Sequence, residues 1–365
     1  MKRSFSVGSP SSLHWLWAGL LSIALMAEAF GAEGEAAQTA SGRGEQTGAV
    51  APEMSSAPPR TRLSMLSFLN VSNRDTTRLP AERSHLEPDL QRLYLQLDHR
   101  LDERWTARVL TDVNWLRHES PTDLWVKNAY LQYSARPELV LRLGSAALPW
   151  AGFANQWGGY RFVDRELLTG SQVAGSADWG AHASGRHGQL EWAVSAVTGA
   201  GFKRPRTTSR ADFEGRLAWL PTEHTVLAVG GYEGNRSRDR GDPMARRWNV
   251  LVAHQHRLGR IGAQKVYARN WQLHASGRPV IASGWSVWGA LNTSENTSVF
   301  LRRDRMERRL GGTGQGRELL SQLGLEWTVS SQLRLALAVK RRSSDVGPRS
   351  HGANEVGLWS EWRLP

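Results

Sequence analysis

From Leu63 to the end of the chain, apolar and polar residues alternate in successive segments of about ten residues. Between Trp105 and Trp115 every second residue is apolar or Thr, and between Leu333 and Val339 every second residue is Leu or Val. A period of two is the pattern of a β-strand with two different faces, whereas an amphipathic helix requires a period near 3.6. No sustained helical period occurs in this region, so the sequence predicts an all-β fold.

The connections between these segments alternate in length. Short polar turns recur mostly about 35 residues apart, near Leu101, Pro137, His187, Pro221, Gly259, Ser294 and Ser331. Between them lie longer Gly- and Arg-rich connections, over 72–88, 116–123, 146–176, 200–211, 235–246, 273–280, 305–317 and 343–352. One strand on each side of every long connection gives about 16 strands. Short turns at one rim and long loops at the other are typical of a transmembrane antiparallel β-barrel of the outer membrane.

The beginning of the chain differs in composition from the rest. A positive start and an apolar run over residues 14–30 precede small residues. This order predicts a secretory signal peptide cleaved after Ala29 or Ala32, with an uncleaved membrane anchor as the alternative. The segment that follows has almost no large apolar side chain, which predicts disorder. The predicted organisation is a signal peptide (1–32), a disordered periplasmic linker (33–60) and an outer-membrane β-barrel pore (61–365).

Composition excludes several classes of protein. The chain has no Cys, which excludes a disulfide scaffold, a zinc ribbon, a Cys nucleophile and a c-type haem site. The mean hydropathy is −0.45, and only one run approaches the roughly 20 apolar residues of a helical span. His254 and His256 share a strand face but lack a third metal ligand, and no Gly-rich phosphate loop leads into a helix. We therefore expect no cofactor and no metal, and export argues against a nucleic-acid partner.

One interval breaks the regular spacing of the turns. About 50 residues separate Pro137 from His187, and the surplus lies in the third long connection, 146–176. This connection contains Trp150, Trp157 and other aromatic residues, so it is too apolar to extend into water, and long loops of this kind tend to be functional. A 16-strand barrel encloses an aqueous lumen. We therefore expect the third connection to fold into the lumen and narrow it.

Four short motifs surround this connection in a characteristic order, at residues 141–144, 149–150, 160–167 and 177–180. Their order and spacing resemble the third-loop region of the phosphate-selective porin O/P family of Gram-negative outer membranes. In that family a strand ends in Leu-Gly, a Pro-aromatic pair follows, an acidic-Arg segment lies in the loop, and Asp-apolar-Gly opens the next strand. The resemblance implies a 16-stranded diffusion pore that assembles as a homotrimer and uses its third loop as the constriction.

The excess positive charge belongs to the predicted barrel, because residues 61–365 contain 42 basic and 29 acidic residues. Strand parity directs six basic side chains into the lumen: Arg108, Arg142, Arg216, Arg302, Arg334 and Lys340. The third connection adds Arg161 and Arg165 as further anion contacts, with Asp164 and Glu166 as constriction acids. Arginines in a narrow passage concentrate anions and repel cations. The sequence thus predicts passive diffusion of small hydrophilic solutes, with a preference for anions such as phosphate or other oxyanions, and no enzymatic activity.

Two other roles for the basic residues stay open. Lumen arginines can pair with inward acids and stiffen the wall, and the acids available are Asp112, Asp212, Glu214, Asp304 and Glu326. Arginine clusters in the long connections can meet outer-membrane lipid, lipopolysaccharide phosphates or solvent. Those clusters are Lys203, Arg204, Arg206 and Arg210; Arg236, Arg238 and Arg240; and Arg302, Arg303, Arg305, Arg308 and Arg309.

Two other functions also stay open. An outer-membrane hydrolase would require a Ser/His or paired-acid site at the outer rim, and the available residues are His118, Ser120, His182 and Ser184. A barrel can also sheathe or scaffold a periplasmic electron-transfer partner, and the sequence does not distinguish that role from free diffusion.

Overall fold

The computed structural model describes residues 60–76, 86–116, 123–136, 138–203, 210–238, 242–273, 279–310, 314–345 and 351–364. The predicted signal peptide and residues 33–59 of the predicted linker lie outside these ranges. The strands are β1 (Thr61–Thr76), β2 (Leu86–Arg100), β3 (Trp105–Trp115), β4 (Asp123–Arg136), β5 (Leu139–Ala147), β6 (Ala177–His187), β7 (Leu190–Val197), β8 (Asp212–Thr222), β9 (Thr225–Gly234), β10 (Ala245–His256), β11 (Gly259–Leu273), β12 (Pro279–Asn292), β13 (Thr297–Leu310), β14 (Gly314–Thr328), β15 (Leu333–Ser344) and β16 (His351–Leu364). Two short helices, α1 (Ala151–Gly158) and α2 (Leu167–Gly170), lie between β5 and β6.

The sheet closes on itself. Each strand pairs antiparallel with its neighbours in the chain, and β1 pairs with β16. The closing register joins Met65 to Leu364 and Asn70 to Trp359. A closed sheet has no free edge, so strands find backbone partners on both sides. The predicted fold class, an antiparallel β-barrel of about 16 strands, is confirmed for the described part of the chain.

The two faces of each strand follow the alternation in the sequence. On β8, Phe213 and Trp219 point outward and are exposed, whereas Asp212 and Glu214 point inward and are buried. The exterior is therefore apolar and the interior polar, the reverse of a water-soluble domain. This arrangement suits a barrel that is surrounded by lipid and encloses water.

The strands are joined by short turns at one rim, at the predicted positions. Gly188 between β6 and β7 has a φ of 57°, a backbone conformation that favours glycine. The long connection predicted over 305–317 is wrong, because β13 continues to Leu310 and β14 begins at Gly314. The period of two continues through this Arg-rich stretch, so its basic side chains alternate between the interior and the exterior instead of forming a loop cluster.

The buried apolar residues lie inside the barrel, where the third connection meets the wall. One cluster joins Trp150, Phe153 and Trp157 to inward-facing residues of β8 to β13. A second cluster joins Phe162 of the same connection to Trp359 of β16. In the ranges given above, no helix is long and apolar enough to cross a membrane.

Candidate pore and its constriction

Residues 148–176 connect β5 to β6 and are called the inner loop below. The side chains of Trp150 and Phe162 are fully buried, and the ring of Tyr160 stacks on Phe300 of the wall with 4.0 Å between centroids. Burying such rings is favourable because each removes a large apolar area from water. The aromatic residues that make this segment too apolar for water therefore hold it against the inner face of the wall.

Basic side chains of the wall also bind the backbone of the inner loop. The contacts run from Arg216 to the carbonyl of Pro149 (3.0 Å), Arg247 to Val173 (3.1 Å), Arg334 to Gly159 (3.3 Å), Lys340 to Val163 (3.4 Å) and Arg308 to Ser171. Loop carbonyls have no partner in the sheet, so these donors satisfy acceptors that would otherwise be buried without one. Three predicted anion contacts, Arg216, Arg334 and Lys340, are thus engaged with the loop.

The same side of the wall pairs its cations with acids. The ion pairs include Arg216 with Glu191 (2.5 Å), Arg247 with Glu214 (2.9 Å), Arg302 with Asp304 (2.5 Å), Arg334 with Glu326 (2.6 Å) and Lys340 with Glu355 (2.9 Å). Buried charges are tolerated when they are paired with an opposite charge in this way. The contacts of Arg302 and Arg334 are those expected of lumen arginines that stiffen the wall.

Asp164, a predicted constriction acid, is held by cations of the wall. Its carboxylate accepts a hydrogen bond from Arg342 at 2.8 Å and lies 3.6 Å from Nζ of Lys340. Burial alone raises the pKa of this carboxyl, but the positive charges of Arg342, Lys340 and Arg302 hold the pKa well below its usual range. Asp164 therefore stays ionised and anchors the inner loop to β15.

Glu166, the second predicted constriction acid, caps a helix. Its carboxylate accepts the backbone N–H of Leu168 at 2.7 Å and that of Thr169 at 2.6 Å. These are orphan donors of the first turn of α2, and an acidic side chain at this position satisfies them. Both predicted constriction acids are thus engaged within the loop or with the wall.

A solvent-accessible cavity, called the channel below, lies between the inner loop and the wall formed by β1 to β4. Its volume is about 1160 Å³, and it extends from Asp123 and Lys203 near the long-connection rim to Arg62 and Arg363 near the short-turn rim. Between these ends, the basic side chains that line it are Arg92 and Lys127 from the wall and Arg161 and Arg165 from the inner loop. The described lining residues include seven basic and two acidic side chains. The channel is therefore positively charged.

Three guanidinium groups meet along this channel. Burial lowers the pKa of Arg165, and the positive charges of Arg92 and Arg161 lower it further, although a guanidinium stays protonated in proteins. The guanidinium of Arg161 lies 5.5 Å from the ring centroid of Phe68. In the part of the chain that the structure describes, no acid forms an ion pair with Arg161 or Arg165. Their charges are available to a solute in the channel.

Sequence reasoning missed Arg92 and Lys127. Arg92 lies 3.1 Å and Lys127 3.8 Å from the carboxylate of Asp112, so two cations share one acid. The ammonium of Lys127 also lies 4.6 Å from the ring centroid of Tyr94. The alternation along β2 places Arg92 on the polar, inward face, so this residue could have been predicted from the sequence. The alternation does not predict Lys127, because the pairing of β3 with β4 shifts register between Leu110 and Thr111.

Arg108 and Arg142 face the interior but do not line this channel. Arg108 pairs with Asp98 at 2.5 Å. Arg142 donates to Gln132 at 2.9 Å and to Ser184 at 3.3 Å. Of the predicted anion contacts, the structure thus brings together at the channel the two from the inner loop, Arg161 and Arg165.

The residues considered for hydrolysis have other partners. Nδ1 of His182 lies 2.8 Å from Oγ of Ser195, and its Nε2 lies 3.3 Å from the carbonyl oxygen of Gly144. A backbone carbonyl, rather than a carboxylate, thus orients the imidazole. His118 and Ser120 lie outside the described residues.

Solved outer-membrane porins share this fold. The anion-selective porin from Comamonas acidovorans is 10% identical, with a TM-score of 0.62 over 83% of this chain and 99% of that chain. The trimer form of OmpT, an outer membrane protein of Vibrio cholerae, is 10% identical, with a TM-score of 0.58 over 84% of this chain and 100% of that chain. OmpF of Salmonella typhi is 10% identical, with a TM-score of 0.55 over 83% of this chain and 97% of that chain. No family model and no curated protein matches the chain.

At this level of identity the likeness shows the fold, which is the porin fold of Gram-negative outer membranes. A closed antiparallel barrel with an apolar exterior satisfies its backbone groups inside lipid, and barrels of this architecture lie in outer membranes. The protein is therefore an outer-membrane β-barrel. The narrower resemblance to the phosphate-selective O/P family stays a prediction.

Proposed function

We propose that the protein is a passive diffusion pore for small hydrophilic solutes and that it prefers anions, phosphate and other oxyanions among them. The observation that carries this proposal is the lining of the channel, where basic side chains outnumber acidic ones seven to two. A positive potential in a narrow, partly dehydrated passage raises the local concentration of anions and excludes cations.

The positions of the acidic side chains along the channel also favour the passage of an anion over its tight binding. Arg161 and Arg165 offer unpaired guanidinium groups that can bind an oxyanion bidentately. Arg92 and Lys127 are partly neutralised by Asp112, so they attract an anion less strongly. Conduction requires sites that are favourable enough to enter and weak enough to leave, and a graded series of this kind meets both conditions.

The protein's assembly and surroundings belong to the same proposal. A homotrimer is supported by the family resemblance in the sequence and by the trimer form of the Vibrio cholerae protein with the same fold. The apolar exterior supports contact with outer-membrane lipid. Neither assembly as a trimer nor contact with lipid requires a cofactor or a catalytic site.

A sheath for a periplasmic electron-transfer partner is less well supported. The inner loop packs through the lumen and leaves a channel of about 1160 Å³. That space admits small solutes, whereas even a small folded domain has a radius of gyration of about 13 Å. Co-purification of a haem protein inside the barrel would contradict the diffusion proposal.

The selectivity of the pore can be tested with the double variant Arg161→Gln/Arg165→Gln in planar bilayers. In a salt gradient, we expect the wild type to give a reversal potential that favours anions. Removing two unpaired charges from the channel should lower the anion-to-cation permeability ratio by roughly two- to tenfold. The measurement is the reversal potential at fixed ionic strength.

The matched control is Arg136→Gln/Arg186→Gln, which removes two exposed charges at the short-turn rim. We expect this control to leave the permeability ratio close to that of the wild type, because exposed rim charges are screened by salt. A wild type without ohmic conductance, or with a reversal potential that favours cations, would refute the proposed function.

A further inference from the structure

Basic residues interrupt the apolar exterior of the barrel on neighbouring strands. They lie on the outward faces of β11, β13, β14 and β15 and are called the outer basic face: Lys265, Arg269, Arg303, Arg305, Arg309, Arg317 and Arg341. On β13 the inward positions between them, Asp304, Met306 and Arg308, are buried. Among the described outward residues of these strands, Glu307 is the one acid, and it pairs with Arg305. The outer basic face therefore carries a large uncompensated positive charge.

The register of the sheet arranges six of these cations in pairs. Each pair flanks one residue of the strand between: Arg303 and Arg341 flank Ser321, Lys265 and Arg305 flank Trp285, and Arg269 and Arg309 flank Ile281. Strands two apart in a sheet are separated by roughly 10 Å. Two long basic side chains at that separation can converge on a single group placed between them. The pattern is therefore a repeated two-cation clamp on the outside of the wall, in which Arg305 also pairs with Glu307 and Arg303 donates to Ser321.

The position of this face along the barrel is informative. On β13, Val299 and Leu301 are the apolar outward residues near the short-turn rim, and Arg303, Arg305 and Arg309 follow toward the long-connection rim. In outer-membrane barrels the long loops are extracellular. Charged residues on the lipid face are unfavourable near the bilayer midplane and tolerated close to the interface. The outer basic face thus extends from the middle of the strands toward the long-connection rim, which is the side of the outer leaflet.

We infer that the outer basic face binds the phosphate groups of lipid A, the membrane anchor of lipopolysaccharide. Guanidinium groups bind phosphate bidentately, and closely spaced like charges are relieved when an anion lies between them. Diphosphoryl lipid A presents a phosphate at each end of its disaccharide, which matches several neighbouring clamps on one face. Its acyl chains lie along Val299, Leu301 and Leu323, which are exposed toward the bilayer.

This site is separate from the channel. Its residues point away from the lumen, whereas Arg92, Lys127, Arg161 and Arg165 point into it. Lipid binding and ion selectivity can therefore be lost independently of one another, and each experiment leaves the other proposal standing.

The test uses the full chain purified in detergent. The protein is titrated with diphosphoryl lipid A, with dephosphorylated lipid A and with phosphatidylglycerol. Native mass spectrometry measures the bound lipid. We expect the wild type to retain diphosphoryl lipid A in preference to the other two. The variant Arg303→Gln/Arg341→Gln should bind it at least tenfold more weakly, about the effect of losing one charge-assisted hydrogen bond. Its unchanged conductance and its heat-dependent shift on a gel would show that the barrel is folded.

The control is again Arg136→Gln/Arg186→Gln, which we expect to bind lipid A as the wild type does. Equal binding by the wild type and by Arg303→Gln/Arg341→Gln overturns the proposal. Equal retention of phosphatidylglycerol overturns the choice of lipid A and identifies a general site for anionic lipid. If the double variant loses its oligomeric state while its lipid binding is unchanged, the face is a contact between copies of the chain and the proposal is also overturned.

Discussion

At the scale of single residues, what distinguishes one inward arginine from another is its acidic partner. Arg302 is neutralised by Asp304 on its own strand, whereas Arg161 and Arg165 have no such pair among the described residues. An unpaired charge acts on a passing solute, and a paired one mainly stiffens the wall. Under the proposed function, the same residue type therefore serves selectivity in one place and structure in another.

The ion pairs of Asp164 determine how the anchoring of the inner loop depends on pH. Its pKa in the folded protein is lower than that of an unfolded Asp, about 3.9, because Arg342 and Lys340 stabilise the carboxylate against burial. Its contribution to stability is therefore present above the unfolded pKa and lost as the pH falls toward the folded pKa. We expect single-channel current noise to be constant from about pH 7 to about pH 5. Asp164→Asn should be noisier throughout, and equal noise in both proteins would contradict this role.

At the scale of elements, the inner loop is part of the wall rather than a separate lid. Two aromatic clusters and a series of bonds to loop carbonyls hold it from β8 to β16. Such an arrangement fixes the width of the channel, because a loop with many buried contacts opens only at a high cost in free energy. We therefore expect the constriction to be constant on the timescale of solute passage.

The cap of α2 tests this view locally. Glu166→Ala removes the acceptor for the backbone N–H groups of Leu168 and Thr169, which should destabilise the turn by about 1 kcal/mol. Faster amide hydrogen exchange at these two positions is the expected result. Glu166→Gln retains one oxygen acceptor and should exchange at an intermediate rate. Unchanged protection in Glu166→Ala would mean that packing alone holds the turn.

At the scale of the whole molecule, barrel closure and the inner loop depend on each other. The seam between β1 and β16 carries Trp359, which is fully buried in the cluster that also contains Phe162 of the loop. The ammonium of Lys340 lies 4.5 Å from the ring centroid of Trp359. The seam is thus held by backbone hydrogen bonds and by a core that the loop completes.

Two tryptophans of β16 provide a matched test of that core. Trp359→Ala leaves a cavity inside the barrel and should destabilise it by about 3–5 kcal/mol. Trp362 points outward and is 43% exposed, so Trp362→Ala should cost much less. The measurement is the temperature at which the folded band converts to the unfolded band on a gel. Similar losses for both variants would show that the inner cluster does not support closure.

The period of two and the spacing of the turns were sufficient to predict the sixteen strands, because both signals are local along the chain. The inward direction of Arg108 and Arg334 follows from parity for the same reason. The connection expected over 305–317 was wrong because Arg-rich strands and Arg-rich loops have similar composition. Met306 and Leu310, at even spacing on one face, were the sequence signal that its first part belonged to the sheet.

Local patterns in the sequence predict a barrel, its approximate strand count and the unusual third connection, because strand periodicity and loop length depend on consecutive residues. Which cations face the channel depends on contacts between distant parts of the chain. That choice depends on the side of the lumen against which the inner loop packs, and contacts such as Arg334 to Gly159 join residues 175 positions apart. Arg334 is covered by the loop and Arg92 is not, because the loop packs mainly on β8 to β16, meets β1 at Phe68 and leaves the channel along β1 to β4.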